Sequence, residues 1–211
     1  LLSFVYHFFL GLVISFVASI PLGPVNLSVA QASLNHNRNV ARRIAVGSSV
    51  VELFYCALAL GGVQLLGSDK EVTFWIRIVS IPVLLGLGLY NLLKRIDLDA
   101  PQTVGKGKPG QGAFWVGVSL NLVNPMLLPF WLGAGTVLRA NNLIESQWDL
   151  LVAFTLGVAI GTYFLLMTVA QIAHTQKHLL SPVVRKRLNR GVGVLFLLLA
   201  VVEIVSVFVR H

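Results

Sequence analysis

The apolar segment from about Phe4 to Leu34 is too long for the membrane it would cross, and it is broken near its middle. A bilayer core is about 30 Å thick and is spanned by about 20 helical residues, so this segment must tilt, break or run into the interface. The interruption Pro21-Leu22-Gly23-Pro24-Val25-Asn26 selects a break. Proline has no backbone N–H and clashes with the preceding turn, so a helix through Pro21 and Pro24 leaves the carbonyls of Val17 and Ile20 without their usual donors. A second interruption, Asn121-Leu122-Val123-Asn124-Pro125, followed by Pro129, stands in another apolar segment about a hundred residues later and threatens the carbonyls of Asn121 and Pro125. Hydrocarbon satisfies no such group, so at membrane depth both breaks must face protein or a wet cavity. Two ordinary proline kinks are the plainer reading. Paired interruptions with flanking Asn and Gly in matching segments are instead the pattern of a transporter's binding site, here Gly23, Pro24, Asn26, Asn121, Asn124 and Pro125.

The rest of the chain agrees with a membrane. It is 56% hydrophobic and 11% charged over 211 residues, too apolar for a soluble domain of this length. Further apolar spans run over about 44–66, 72–93, 113–138, 150–173 and 191–209. No basic region precedes Leu1–Leu12, so no cleavable signal peptide is expected. The Gly- and Lys-rich stretch 94–112 is the longest polar link and reads as a flexible connector between two halves, 1–93 and 113–211. The links after spans one, three and five hold twelve of the sixteen Lys and Arg residues. The positive-inside bias puts those links in the cytoplasm and both termini outside. It also accounts for the net charge of +8 better than nucleic-acid binding does. Three spans per half make the halves enter from opposite sides. The expected fold is therefore an all-α membrane protein, with six transmembrane helices as two inverted three-helix repeats and interrupted first and fourth helices.

Two acids lie deep in spans, Glu52 and Glu203. Glu52 is nine residues past Arg43, about 14 Å of helix rise. An ionised carboxylate there costs several kcal/mol unless hydrated or paired, which makes Glu52 a candidate for reversible protonation or for holding a substrate amine. Ala45, Ser48, Ser49, Cys56 and Ala59 share its helical face, which is small and polar. A structural hydrogen bond from a neutral Glu52 is the alternative. Glu203 is equally a second coupling acid or a side chain reaching the outer surface. Arg77 reads as an interfacial arginine. The lone Cys56 allows no intramolecular disulfide, and the five histidines lie mostly in links or at the chain ends, so neither a metal site nor a cofactor is expected. No phosphate-binding loop, dinucleotide fingerprint or nucleophile elbow is present, and an enzyme is not expected. Half-helix ends and the Asn amides offer donors and acceptors together, which suits a zwitterion such as an amino acid, though a metal cation or another polar solute fits the same groups.

These residues resemble the LysE/RhtB family of amino-acid exporters. Gly11 through Pro21-Leu22-Gly23-Pro24-Val25-Asn26 is similar to the first-span signature, with Leu22 placed inside its Pro-Gly-Pro core. Gly47 through Glu52 is similar to the second-span Gly-to-acid pattern, Gly117 through Pro125 to the fourth-span element, and Leu188 through Leu195 to the entry of the sixth. Met126 stands where a Lys commonly follows Asn-Pro, and Gly161-Thr162-Tyr163 where members often carry an acid. The resemblance implies six spans, a bacterial inner membrane, and efflux of amino acids or similar small solutes on a proton or ion gradient. A channel-like metal-ion pathway and a non-transporting scaffold remain the competing expectations, and a homo-oligomer is left open.

Overall fold

The computed structural model describes residues 1–20, 23–35, 37–66, 112–124, 127–175 and 182–209, with positions 78, 81–82, 84–86, 88–90 and 92–93 between them. The helices are α1 (Leu2–Ala18), α2 (Pro24–Asn35), α3 (Arg38–Leu66), α4 (Ala113–Leu122), α5 (Leu127–Ala140), α6 (Trp148–Thr175) and α7 (Pro182–Val209). The described positions from 78 to 93 are also helical, and no strand occurs among the described residues. Arg38–Gly62 and Trp148–Thr175 are each long and apolar enough to cross a bilayer, and α4 with α5 makes a third such length, bent by 64°. The protein is membrane-embedded, and its described elements are all helices.

Both breaks fall where the prolines demand them, but the orphaned carbonyls are fewer than expected. At the end of α1 the Ile20 N–H donates to the Val17 carbonyl at 3.2 Å, and at the end of α4 the Asn124 N–H donates to the Asn121 carbonyl at 3.1 Å. Each half-helix thus closes with one tighter 3₁₀-type bond. The Ser19 carbonyl then accepts from Asn26 Nδ2 at 2.9 Å, and the Leu122 carbonyl accepts from the Tyr55 hydroxyl at 2.8 Å. Asn26 across the first gap and Tyr55 of α3 therefore take up carbonyls that hydrocarbon would leave bare.

Two basic links are shorter than their hydropathy suggests. Helix α3 begins at Arg38, where Asn37 Oδ1 accepts the Val40 N–H at 3.0 Å, an N-cap that starts the helix inside the polar link. Helix α7 begins at Pro182, and proline suits the first helical position. Hydropathy marks where a helix enters the lipid, whereas the cap marks where it begins. Asn141-Asn142 forms a turn, with Asn142 at φ 56°.

Glycines hold the helices at backbone contact along two seams. A methyl built on Gly11 of α1 would overlap the Phe154 carbonyl oxygen of α6, and one on Gly157 or Gly161 of α6 would overlap the Phe8 or Leu12 carbonyl oxygen of α1. In the second seam, Gly47 of α3 faces the Phe114 carbonyl of α4, and Gly117 of α4 faces the Ile44 carbonyl of α3. Small residues permit this approach where lipid supplies no hydrophobic drive between helices.

The first turns of α1 are pinned to the α5–α6 loop. His7 Nδ1 lies 2.7 Å from the Ser3 carbonyl and donates to it, so Nε2 is the acceptor for the Glu145 N–H at 3.1 Å. Ser3 Oγ donates to Glu145 Oε1 at 3.0 Å. His7→Phe keeps the bulk and drops both ring hydrogen bonds. Thermal unfolding in detergent should register a loss of about 1–2 kcal/mol.

Candidate functional site

Four helices bring polar side chains to one buried layer. The last turn of α1 supplies Ser15, the middle of α3 supplies Ser48 and Glu52, the last turn of α4 supplies Asn121, and α6 supplies Thr162. None of the five is more than 4% exposed. Ser15 Oγ donates to Glu52 Oε1 at 3.3 Å and lies 2.6 Å from Thr162 Oγ1. Asn121 Nδ2 donates to the Ser48 carbonyl at 2.9 Å, and Thr162 and Asn121 both stand beside the Glu52 carboxyl. The glycine seams explain the convergence. Gly11 and Gly157 draw α1 onto α6 just before Ser15 and Thr162, while Gly47 and Gly117 draw α3 onto α4 just before Glu52 and Asn121.

Glu52 has hydroxyl and amide neighbours, yet no Lys, Arg or His among the described residues pairs with it. A carboxylate charge in this layer therefore needs a counter-charge delivered to it, either a proton or a cationic group on a solute. Apolar clusters close the layer on both sides. Toward the basic ends of α3 and α6 lies a cluster including Val29, Val40, Ile44, Leu166 and Ala170. Toward the opposite end lies one including Cys56, Leu60, Trp131, Leu151 and Phe154.

The residues expected at the site divide. Glu52 and Asn121 meet in the layer. Asn26 is buried and closes the first break through the Ser19 carbonyl, and Gly23 and exposed Pro24 form the break itself. Half-buried Asn124 closes the second break through its own backbone. Pro125 lies outside the described residues, as do Pro21 and Arg77; Glu203 is on α7 and its side chain lies outside them too. Sequence reasoning missed Ser15 and Thr162. Thr162 stands at the very stretch where the resemblance leads one to look for an acid.

One buried carboxyl among the described residues, set at the last turns before two helix breaks with an apolar cluster on either side, suits a membrane transporter. The chain belongs to the LysE type translocator family, whose family model matches residues 14–206. No curated protein and no solved structure matches it. Membership implies membrane export of amino acids or related solutes, and the family is one of transporters, not enzymes.

Proposed function

We propose that this chain is a secondary active exporter of amino acids or similar small polar solutes, driven by a proton or ion gradient, with alternating access about the Glu52 layer. The observation that carries this reading is the single carboxyl set beside Ser15, Thr162 and Asn121 between two apolar seals. Opening one seal at a time would expose Glu52 to one side, and its counter-charge would be exchanged there: substrate ammonium from the cytoplasm, proton from outside.

An inverted repeat of two three-helix units, 1–93 and 113–211 with 94–112 as cytoplasmic linker, accounts for several paired features. The seams pair α1 with α6 and α4 with α3, so each broken helix docks on the second span of the other half. Gly11 and Ser15 are spaced as Gly117 and Asn121 are, and Gly47 and Glu52 as Gly157 and Thr162 are. With the basic links in the cytoplasm of a bacterial inner membrane, the Glu52 layer lies near mid-bilayer and both termini lie outside.

Counterflow of a labelled amino-acid panel into proteoliposomes, with and without a pH gradient, tests the reading. Saturable uptake that answers to the gradient is expected; linear, unsaturable flux of metal ions with no amino-acid uptake would replace the exporter by a channel. Asn121→Ala removes the amide beside Glu52 and frees the Ser48 carbonyl, and should slow counterflow about tenfold.

A further inference from the structure

Trp131 is wholly buried on α5, and its indole Nε1–H has no hydrogen-bond partner among the described residues. Buried donors are nearly always paired, so an orphan calls for an explanation. It stands in an otherwise apolar cluster with Cys56, Leu127 and Val158, edge-on to Phe154 at 6.2 Å and against Phe130 at 4.9 Å. A phenyl ring would serve that packing without the buried polar atom. What tryptophan adds here is the donor.

The position says what the donor is for. Cys56 is in the same cluster as Trp131 and lies one turn past Glu52, about 6 Å of rise, on the side away from the basic links. This cluster is the seal that must part for a solute to leave the Glu52 layer in that direction. We propose that Trp131 is a substrate-binding residue, whose indole N–H takes the carboxylate of an α-amino acid while Glu52 holds its ammonium. The inference rests on the exporter reading and deepens it. In an α-amino acid the nitrogen and a carboxylate oxygen are about 3 Å apart. Hydrogen bonds of about 2.9 Å at each end let the molecule bridge groups up to about 8 Å apart, enough to reach from Glu52 into the cluster that holds Trp131. The donor has no partner within its own cluster because its partner is the cargo. The decarboxylated amine leaves the donor unpaired in the bound state and the carboxamide offers it only a neutral, weaker acceptor, so both are selected against.

The test compares each labelled α-amino acid with its carboxamide and its decarboxylated amine, as competitors for counterflow into proteoliposomes. The native chain is set against Trp131→Phe and against a chain carrying benzothienylalanine at 131, which keeps the bicyclic shape and has sulfur in place of N–H. Native protein should prefer the free acid at least about tenfold, the worth of one hydrogen bond to a charged group. Both variants should bring the preference within about twofold, through slower transport of the acid and unchanged competition by the amine. If Trp131→Phe does not fold, the benzothienyl chain decides. Preference retained in that chain overturns the inference and leaves the exporter standing, as does a native chain that carries amino acids without distinguishing acid from amide. A native chain that carries no amino acid overturns the exporter reading and this inference with it.

Discussion

Glu52→Gln is expected to abolish gradient-driven counterflow, lowering the rate by about a hundredfold, while the protein still folds. The two halves of that expectation come from different atoms. The amide keeps the length of the side chain, and its oxygen still accepts from Ser15. Its new N–H₂ can donate to the hydroxyl oxygens of Ser15 and Thr162, which lie 2.6 Å from each other. The buried layer remains satisfied, so thermal unfolding should move by no more than a few degrees. The amide has no charge to be neutralised, however, and so neither binds a proton nor pairs with an ammonium. Exchange of a counter-charge between the two sides then has no site. Counterflow that survives the substitution and still follows the pH gradient would remove Glu52 from coupling. Counterflow that survives but ignores the gradient would keep Glu52 as the coupling group and assign substrate binding elsewhere. Ser15→Ala is the milder companion: it takes one donor from the carboxyl and should slow transport about tenfold.

What the chain disclosed in advance follows from how local each signal is. Proline acts on its own helix, so both breaks were readable from Pro21, Pro24 and Pro125. Glu52 was readable because a carboxyl that far from any polar link has no local excuse. Asn121 was singled out through its neighbour Pro125, and its amide donates to the Ser48 carbonyl, one turn before Glu52, rather than into the break. Ser15 and Thr162 escaped because a hydroxyl in an apolar helix commonly bonds to its own backbone, and nothing nearby distinguishes one that does not. Their bond spans 147 residues of sequence. The signal that could have found them is the glycine spacing: Gly11 to Ser15 repeats Gly117 to Asn121, and Gly47 to Glu52 repeats Gly157 to Thr162. His7 was judged by ligand spacing, whereas its partner Glu145 is 138 positions away. The expectation that freed carbonyls at the breaks would await a ligand overlooked how easily a helix end tightens by one residue, as Ile20 and Asn124 do.

The glycine seams carry the second large effect. In Gly157→Ala the new methyl would sit on the Phe8 carbonyl oxygen, and in Gly117→Ala on that of Ile44, with backbone on both sides. Ordinary contact at about 3.5 Å can be restored only by moving whole helices apart by an ångström or more. Overpacking of this kind costs about 3 kcal/mol or more, since no flexible side chain can give way. The same displacement has a functional consequence. Thr162 is five residues past Gly157 on α6 and bonds Ser15 of α1 at 2.6 Å, so driving α1 off α6 pulls that pair beyond hydrogen-bonding reach. Gly157→Ala should therefore lower the unfolding temperature by about 6–12 °C and slow counterflow beyond what the loss of folded protein explains. Gly62 of α3 supplies the contrast, because a methyl there meets nothing within 4 Å. Gly62→Ala should be neutral or stabilise by up to about 1 kcal/mol, as helix propensity alone dictates. Equal behaviour of the two variants in detergent-solubilised thermal unfolding would mean that α1 and α6 do not meet at backbone contact, and the route by which Ser15 and Thr162 reach Glu52 would fall with it.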